Sequence, residues 1–326
     1  MKTQLILLRD CSRELVAAVA QHGPFLFATT PVGSVYLRNP PAIAPGVGRV
    51  PLMSESVREI ERSMALSCEC GDDVSFDVVR HELQQVAVAI QLVKPSRLFL
   101  ELWLQLDGDG EPEYADRSVR DFGILSGPEL YLQYQQHNTV EEVDLNRALG
   151  LLPRVAKALD RSTGSWEHLA LPIHRAMIFF CQGYTVRPDD PIQFLWAAGL
   201  DCLYASKLDR KKQGSREICS RMGKLLGAGM KPYDEVSLPT HQEGRKKLPI
   251  EVVAPDIFKL RNAFAHGLPI PDANWLGALG RPLQEGYAYQ LLEQTEILLR
   301  LSLLKILEDQ RLFETFTDGA KLDSYF

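Results

Sequence analysis

No apolar run in this 326-residue chain approaches the roughly 20 residues that a helix needs to cross a bilayer. The opening Met1-Lys2-Thr3-Gln4-Leu5-Ile6-Leu7-Leu8-Arg9-Asp10 has four consecutive apolar residues before charge intervenes, too few for a secretory signal core. The expectation is a cytoplasmic protein with no membrane association. Cysteine is sparse, with six residues at positions 11, 68, 70, 181, 202 and 219. Only Cys68 and Cys70 are close, and a C-x-C without a second pair does not make a structural zinc site. Reduced thiols and no metal are expected, with Cys181 and Cys202 inside apolar helical patterns as small core residues. Neither a G-x-x-x-x-G-K-[ST] loop nor a G-x-G-x-x-G turn occurs, and no cofactor is expected. The acidic Asp107-Gly108-Asp109-Gly110 lacks the later residues of a calcium loop, since Pro112 breaks the register. It reads as a hairpin turn. Positive charge is also lacking, the net charge being −6.

What remains is ordinary for a soluble globular protein, at 45% hydrophobic and 24% charged residues. The length suggests two domains. Residues 1–140 read as an α+β domain. Thr3–Leu8 and Pro24–Thr30 are apolar runs of strand length, with a helix at Cys11–Gln21 between them. A Pro/Gly-rich loop runs from Asn39 to Pro51. Val74–Leu92 has helical periodicity, and Glu101–Leu106 is spaced as a partly buried strand. No motif assigns this domain a task; its position suggests sensing, binding or restraint of the C-terminal domain. Residues 141–326 read as an all-α, up-and-down helical bundle. Helix-period segments lie at Leu145–Leu159, Trp166–Tyr184, Pro191–Ser206, Ser215–Leu226 and Tyr287–Leu307. In the last, Leu292, Leu299, Leu303 and Ile306 form a stripe that is core first, with any surplus apolar face suited to a two-fold partner helix.

The stretch most able to do chemistry is Leu260-Arg261-Asn262-Ala263-Phe264-Ala265-His266-Gly267. Pro255 and Asp256 suit a first helical turn, and Ile257, Leu260 and Phe264 give one apolar stripe. Gly267 suits a left-handed cap, and Pro269 and Pro271 prevent continuation. Arg261 flanks the stripe, while Asn262 and His266 share the opposite side at i, i+4. A permanent cation suited to phosphate and an imidazole that moves protons near neutral pH could together cleave a phosphodiester without metal. The same residues could instead pack a stem, pair with an acid and complement a helix C-terminus.

Arg261, Asn262 and His266 resemble the motif of the HEPN superfamily of small helical bundles. The flanks are similar to its Apea-like branch: Phe194-Leu195-Trp196-Ala197-Ala198-Gly199-Leu200-Asp201-Cys202-Leu203-Tyr204 resembles the upstream helix ending in a Leu-Glu-x-Leu type signature. Asp201 stands where that branch more often has Glu. The resemblance covers roughly residues 165–308. It implies a metal-independent endoribonuclease acting as a homodimer through the helical bundle, in stress response or defence against phage. It also implies roles: His266 as acid–base group, Arg261 on the phosphate, Asn262 orienting and Asp201 positioning Arg261. Some members of the superfamily only bind or scaffold, so a non-catalytic interaction module or a nucleotide-binding module remains open.

Charge is uneven along the chain. Residues 207–247 hold eleven Lys or Arg against five Asp or Glu, a local +6 in a chain of −6. Lys211, Lys212, Arg245, Lys246, Lys247 and, on the motif helix, Lys259 are candidates for RNA backbone contacts. A solvated connection carrying His241 is the equal alternative.

Overall fold

Leu5 and Ile6 are fully buried although they face opposite sides of their strand, so the first strand lies inside a covered sheet. The computed structural model describes residues 2–8, 11–40, 64–95, 103–106, 112–116, 139–160, 171–184, 189–205, 215–236, 247–266 and 287–326. The chain divides into two compact units, residues 1–127 with 135–156, and residues 157–326 with 128–134.

In the first unit, β1 (Lys2–Leu8), β2 (Phe25–Thr30), β3 (Gly33–Arg38), β4 (Met64–Cys70), β5 (Trp103–Leu106) and β6 (Pro112–Asp116) form one antiparallel sheet in the order β2-β3-β4-β1-β5-β6. Helix α1 (Arg13–His22) starts where the Ser12 side chain accepts the Leu15 N–H at 3.1 Å, and stops at Gly23, whose φ of 87° suits glycine. Helix α2 (Phe76–Val93) packs against β1 and β4 through a buried set that includes Val79, Leu83, Val86 and Ile90. β5 and β6 pair with Trp103 opposite Asp116, as a hairpin requires, although residues 107–111 lie outside those described. Residues 41–51 of the expected Pro/Gly-rich loop also lie outside them. The sequence reading missed β3, β4 and β6. β4 is buried at Met64 through Cys68 without a break, so it shows no alternation to read.

The division between the units falls within α3 (Glu142–Leu159). The second unit holds α4 (Pro172–Gly183), α5 (Asp189–Tyr204), α6 (Ser215–Leu226), α7 (Ile250–Ala265), α8 (Tyr287–Glu308), α9 (Gln310–Phe316) and α10 (Gly319–Tyr325). Ten consecutive residues of α8, Leu291–Arg300, are buried. The expected stripe of Leu292, Leu299, Leu303 and Ile306 is core, but the helix is covered on every side along this stretch. It offers no surplus face there to a partner, because α4, α5, α6, α7 and α9 all pack on it.

Burial on every side leaves the polar side chains of α8 to find their partners inside the protein. Gln193 Nε2 donates to Thr295 Oγ1 at 3.0 Å, and Tyr204 shares a 2.7 Å hydrogen bond with Ser302. The order of these two contacts shows that α5 and α8 run in the same direction. Strict alternation from α4 to α8 would make them opposed, so the bundle is not a simple up-and-down series. The long connections at 205–214 and 266–286 give the chain the length for a crossover. Tyr184 donates to Glu296 at 2.5 Å, Tyr233 donates to Glu293 at 2.9 Å, and Arg300 Nε lies 3.3 Å from Glu296. Cys181 and Cys202, expected in the core, are only half-buried, whereas Cys68, Cys70 and Cys219 are buried.

A methyl group at Gly183 would collide with the Trp196 indole, whose Nε1 donates to Phe180 O at 3.2 Å. Gly150, within α3, has open space around it. Gly183→Ala should lower stability by about 1–3 kcal/mol and Gly150→Ala should raise it by about 0.5–1 kcal/mol in denaturant titrations. Equal effects would show that α4 and α5 are not packed this closely.

Candidate functional site

The motif helix α7 is set from its N-terminal side. Pro249 precedes it, the Ile250 N–H donates to Met230 O at 2.9 Å, and Ile250, Val253, Ala254, Ile257, Phe258 and Leu260 are buried. The expectation that Pro255 opens the helix is corrected: α7 starts five residues earlier and Pro255 lies inside it. Burial of Ile250 and Val253 outweighs the hydrogen bond that proline removes. Asp256 is likewise not at the exposed positive end; it is 1% exposed, with Lys259 Nζ 3.7 Å from its Oδ1. Ile257 and Leu260 are fully covered and Phe264 only half so.

Arg261 leaves the flank of this stripe and meets Asp201 in the last turn of α5. Its Nη2 lies 2.8 Å from Asp201 Oδ2, with side chains 25% and 24% exposed respectively. The guanidinium also stands over the Phe258 ring, 5.5 Å from its centroid, which restricts how it can turn. Burial pushes the Asp201 carboxyl up from its ordinary 3.8 to about 6, and the Arg261 charge offsets only part of that rise. The geometry explains the imbalance, since Asp201 Oδ1 and Arg261 Nε are both buried without a hydrogen-bond partner among the described residues. The pair is close but incompletely satisfied.

Asn262 and His266 are exposed. At about 100° per residue they lie within about 40° of each other, while His266 stands about 140° around the helix from Arg261. His266 closes α7, its backbone N–H donating to Asn262 O at 3.1 Å. Gly267, Pro269 and Pro271 lie outside the described residues. The fold therefore brings Asp201 to Arg261 and leaves Asn262 and His266 together on another side of the helix.

Of the candidate RNA contacts, Lys211, Lys212, Arg245 and Lys246 lie outside the described residues, as does His241. Lys247 Nζ is 2.8 Å from Asp234 Oδ1, and that contact holds the Asp234 carboxyl below its ordinary range. Two further cations of the basic segment serve internal contacts. Arg221 donates to Tyr204 O at 3.0 Å and to Glu217 at 2.9 Å, and Lys224 donates to Phe326 O at 3.0 Å. The sequence reading also passed over Arg175, half-buried on α4; an arginine in a mostly apolar helix was the available signal.

Among the described residues, no three His, Cys, Asp or Glu side chains converge as metal ligands would, and no helix is long and apolar enough to cross a membrane. Compared with known protein families, curated proteins and solved structures, the chain matches none.

With a folded pKa of about 6 against an ordinary 3.8, native Asp201 binds its proton more tightly than the unfolded chain does. Its contribution to stability is full well below the ordinary 3.8 and is lost as pH rises through about 6. The wild-type unfolding free energy, minus that of Asp201→Asn, should therefore fall by roughly 2 kcal/mol between pH 4 and pH 7. A flat difference in denaturant titrations would show that Asp201 is better solvated than its surroundings indicate.

Proposed function

We propose that the protein is a metal-independent endoribonuclease of HEPN type, acting as a homodimer. The observation that carries this reading is the Asp201–Arg261 contact at 2.8 Å. The acidic residue that the resemblance places on the upstream helix meets the motif arginine sixty residues later. A carboxylate that holds the guanidinium fixes it in advance for a phosphate, and preorganised charge is where most catalytic stabilisation arises. In this reading the ribose 2′-oxygen attacks the adjacent phosphorus while His266 takes its proton. The bond to the 5′-oxygen breaks, and a protonated imidazole supplies the proton that this oxygen needs. The products are a 2′,3′-cyclic phosphate and a 5′-hydroxyl. Arg261 stabilises charge on the phosphate oxygens and Asn262 orients the imidazole or the phosphate. Because Arg261 and His266 lie about 140° apart on one helix, a second copy supplies the complementary residue. Stress response or defence against phage is the setting proposed for such an activity, with residues 1–140 as the sensing or restraining part.

The same angular separation favours a second reading, a non-catalytic interaction or nucleotide-binding module. There Arg261 is spent on Asp201 and His266 is a surface cap.

Purified protein incubated in EDTA with mixed RNA and with single-stranded DNA separates the two. The nuclease reading expects RNA cleavage with cyclic-phosphate ends, no DNA cleavage, and a loss of about 10²–10⁴-fold in His266→Ala of unchanged fold. Efficient DNA cleavage, or RNA cleavage undiminished in His266→Ala, would overturn it.

A further inference from the structure

Arg175 lies on α4, which packs against α5. Trp196 Nε1 donates to Phe180 O at 3.2 Å, the Tyr184 and Trp196 rings are 5.2 Å apart, and only residues 184–188 separate the two helices. The helices thus run antiparallel. At about 1.5 Å per residue, five residues back from Phe180 and five forward from Trp196 bring Arg175 level with Asp201 and Cys202. The electrostatics agree with this register. Burial raises the Cys202 thiol to about 11, and Arg175 is the charge that acts against that rise.

Arg175 is half-buried, and among the described residues its Nε has no hydrogen-bond partner and no carboxylate pairs with it. A desolvated guanidinium without an anion is costly, and arginine is rarely buried unless paired. The same level of the bundle holds Arg261, whose Nε is also orphaned, and Asp201, whose Oδ1 is orphaned. Asp201 thus pairs with Arg261 and, among the described residues, not with Arg175, and all three side chains carry unused hydrogen-bonding capacity.

We propose that Arg175 and Arg261 form the two sides of a phosphate-binding site, with Asp201 holding Arg261 until a phosphate oxygen replaces it. Guanidinium groups suit this ligand because their fixed fork of donors matches two oxygens of a tetrahedral anion. That the phosphate belongs to an RNA backbone rests on the nuclease reading; that the site takes a phosphate does not.

The test is calorimetric titration of the full chain with inorganic phosphate at low ionic strength. Wild type should bind. Arg175→Gln and Arg261→Gln should each weaken binding at least tenfold, and Arg175→Lys should recover part of it. Asp201→Asn should tighten it by removing a competing negative charge. Lys305→Gln, an exposed cation of α8, should leave it unchanged. No binding to wild type, or equal binding to folded Arg175→Gln and wild type, would overturn the proposal whatever happens to RNA. The expected pattern without RNA cleavage would sustain the phosphate site and remove the nuclease reading.

Discussion

The second unit depends on one constraint, that α8 is buried along Leu291–Arg300 and yet carries Glu293, Gln294, Thr295, Glu296 and Arg300 within that stretch. An apolar helix could slide or rotate in its sheath at modest cost. A helix with this many buried polar groups cannot, because each displaced partner would leave a donor or acceptor without water, at about 1–3 kcal/mol apiece. Tyr184, Gln193, Tyr204 and Tyr233 reach α8 from three surrounding segments and act as pegs. Gly199 completes the fit, since a methyl there would lie 2.7 Å from Leu299.

That register carries through to the chemistry. Gln193 and Tyr204 fix both ends of α5 against α8, and Asp201 lies between them, one turn before Tyr204. Arg221 donates to the Tyr204 carbonyl and steadies the same helix end. Asp201 thereby has little freedom to follow solvent, which is why burial outweighs its ion pair. The buried face of α7 brings Arg261 to it, and the last turn of α7 carries His266 away. A half-satisfied ion pair lies on one side of α7 and an exposed imidazole on the other.

Elements with a clear period were legible in the sequence. The limits of α6 were read to the residue and those of α8 to within one, because their apolar positions recur at helical spacing and both ends are marked. β4 was not legible, since both its faces are covered and the run Met64–Cys68 has no alternation. The start of α7 was misplaced because Pro255 is a strong local signal that tertiary burial of Ile250 and Val253 overrides. The Asp201–Arg261 contact was anticipated through a resemblance and not through spacing: sixty residues of chain carry no local pattern linking them. Arg175 was missed for the same reason, since Cys202, the group its charge acts on, lies on the neighbouring helix. Charge counted along residues 207–247 likewise does not show that Arg221, Lys224 and Lys247 are engaged within the fold.

The central claim is that one phosphodiester is served by Arg261 of one chain and His266 of another. Mixing Arg261→Ala with His266→Ala, each inactive alone, tests it most directly. In a mixed dimer one of the two composite sites regains both residues, so RNA cleavage should return at up to about a quarter of the wild-type rate when exchange is random. A mixture as inactive as its components, with subunit exchange demonstrated, would contradict the composite site.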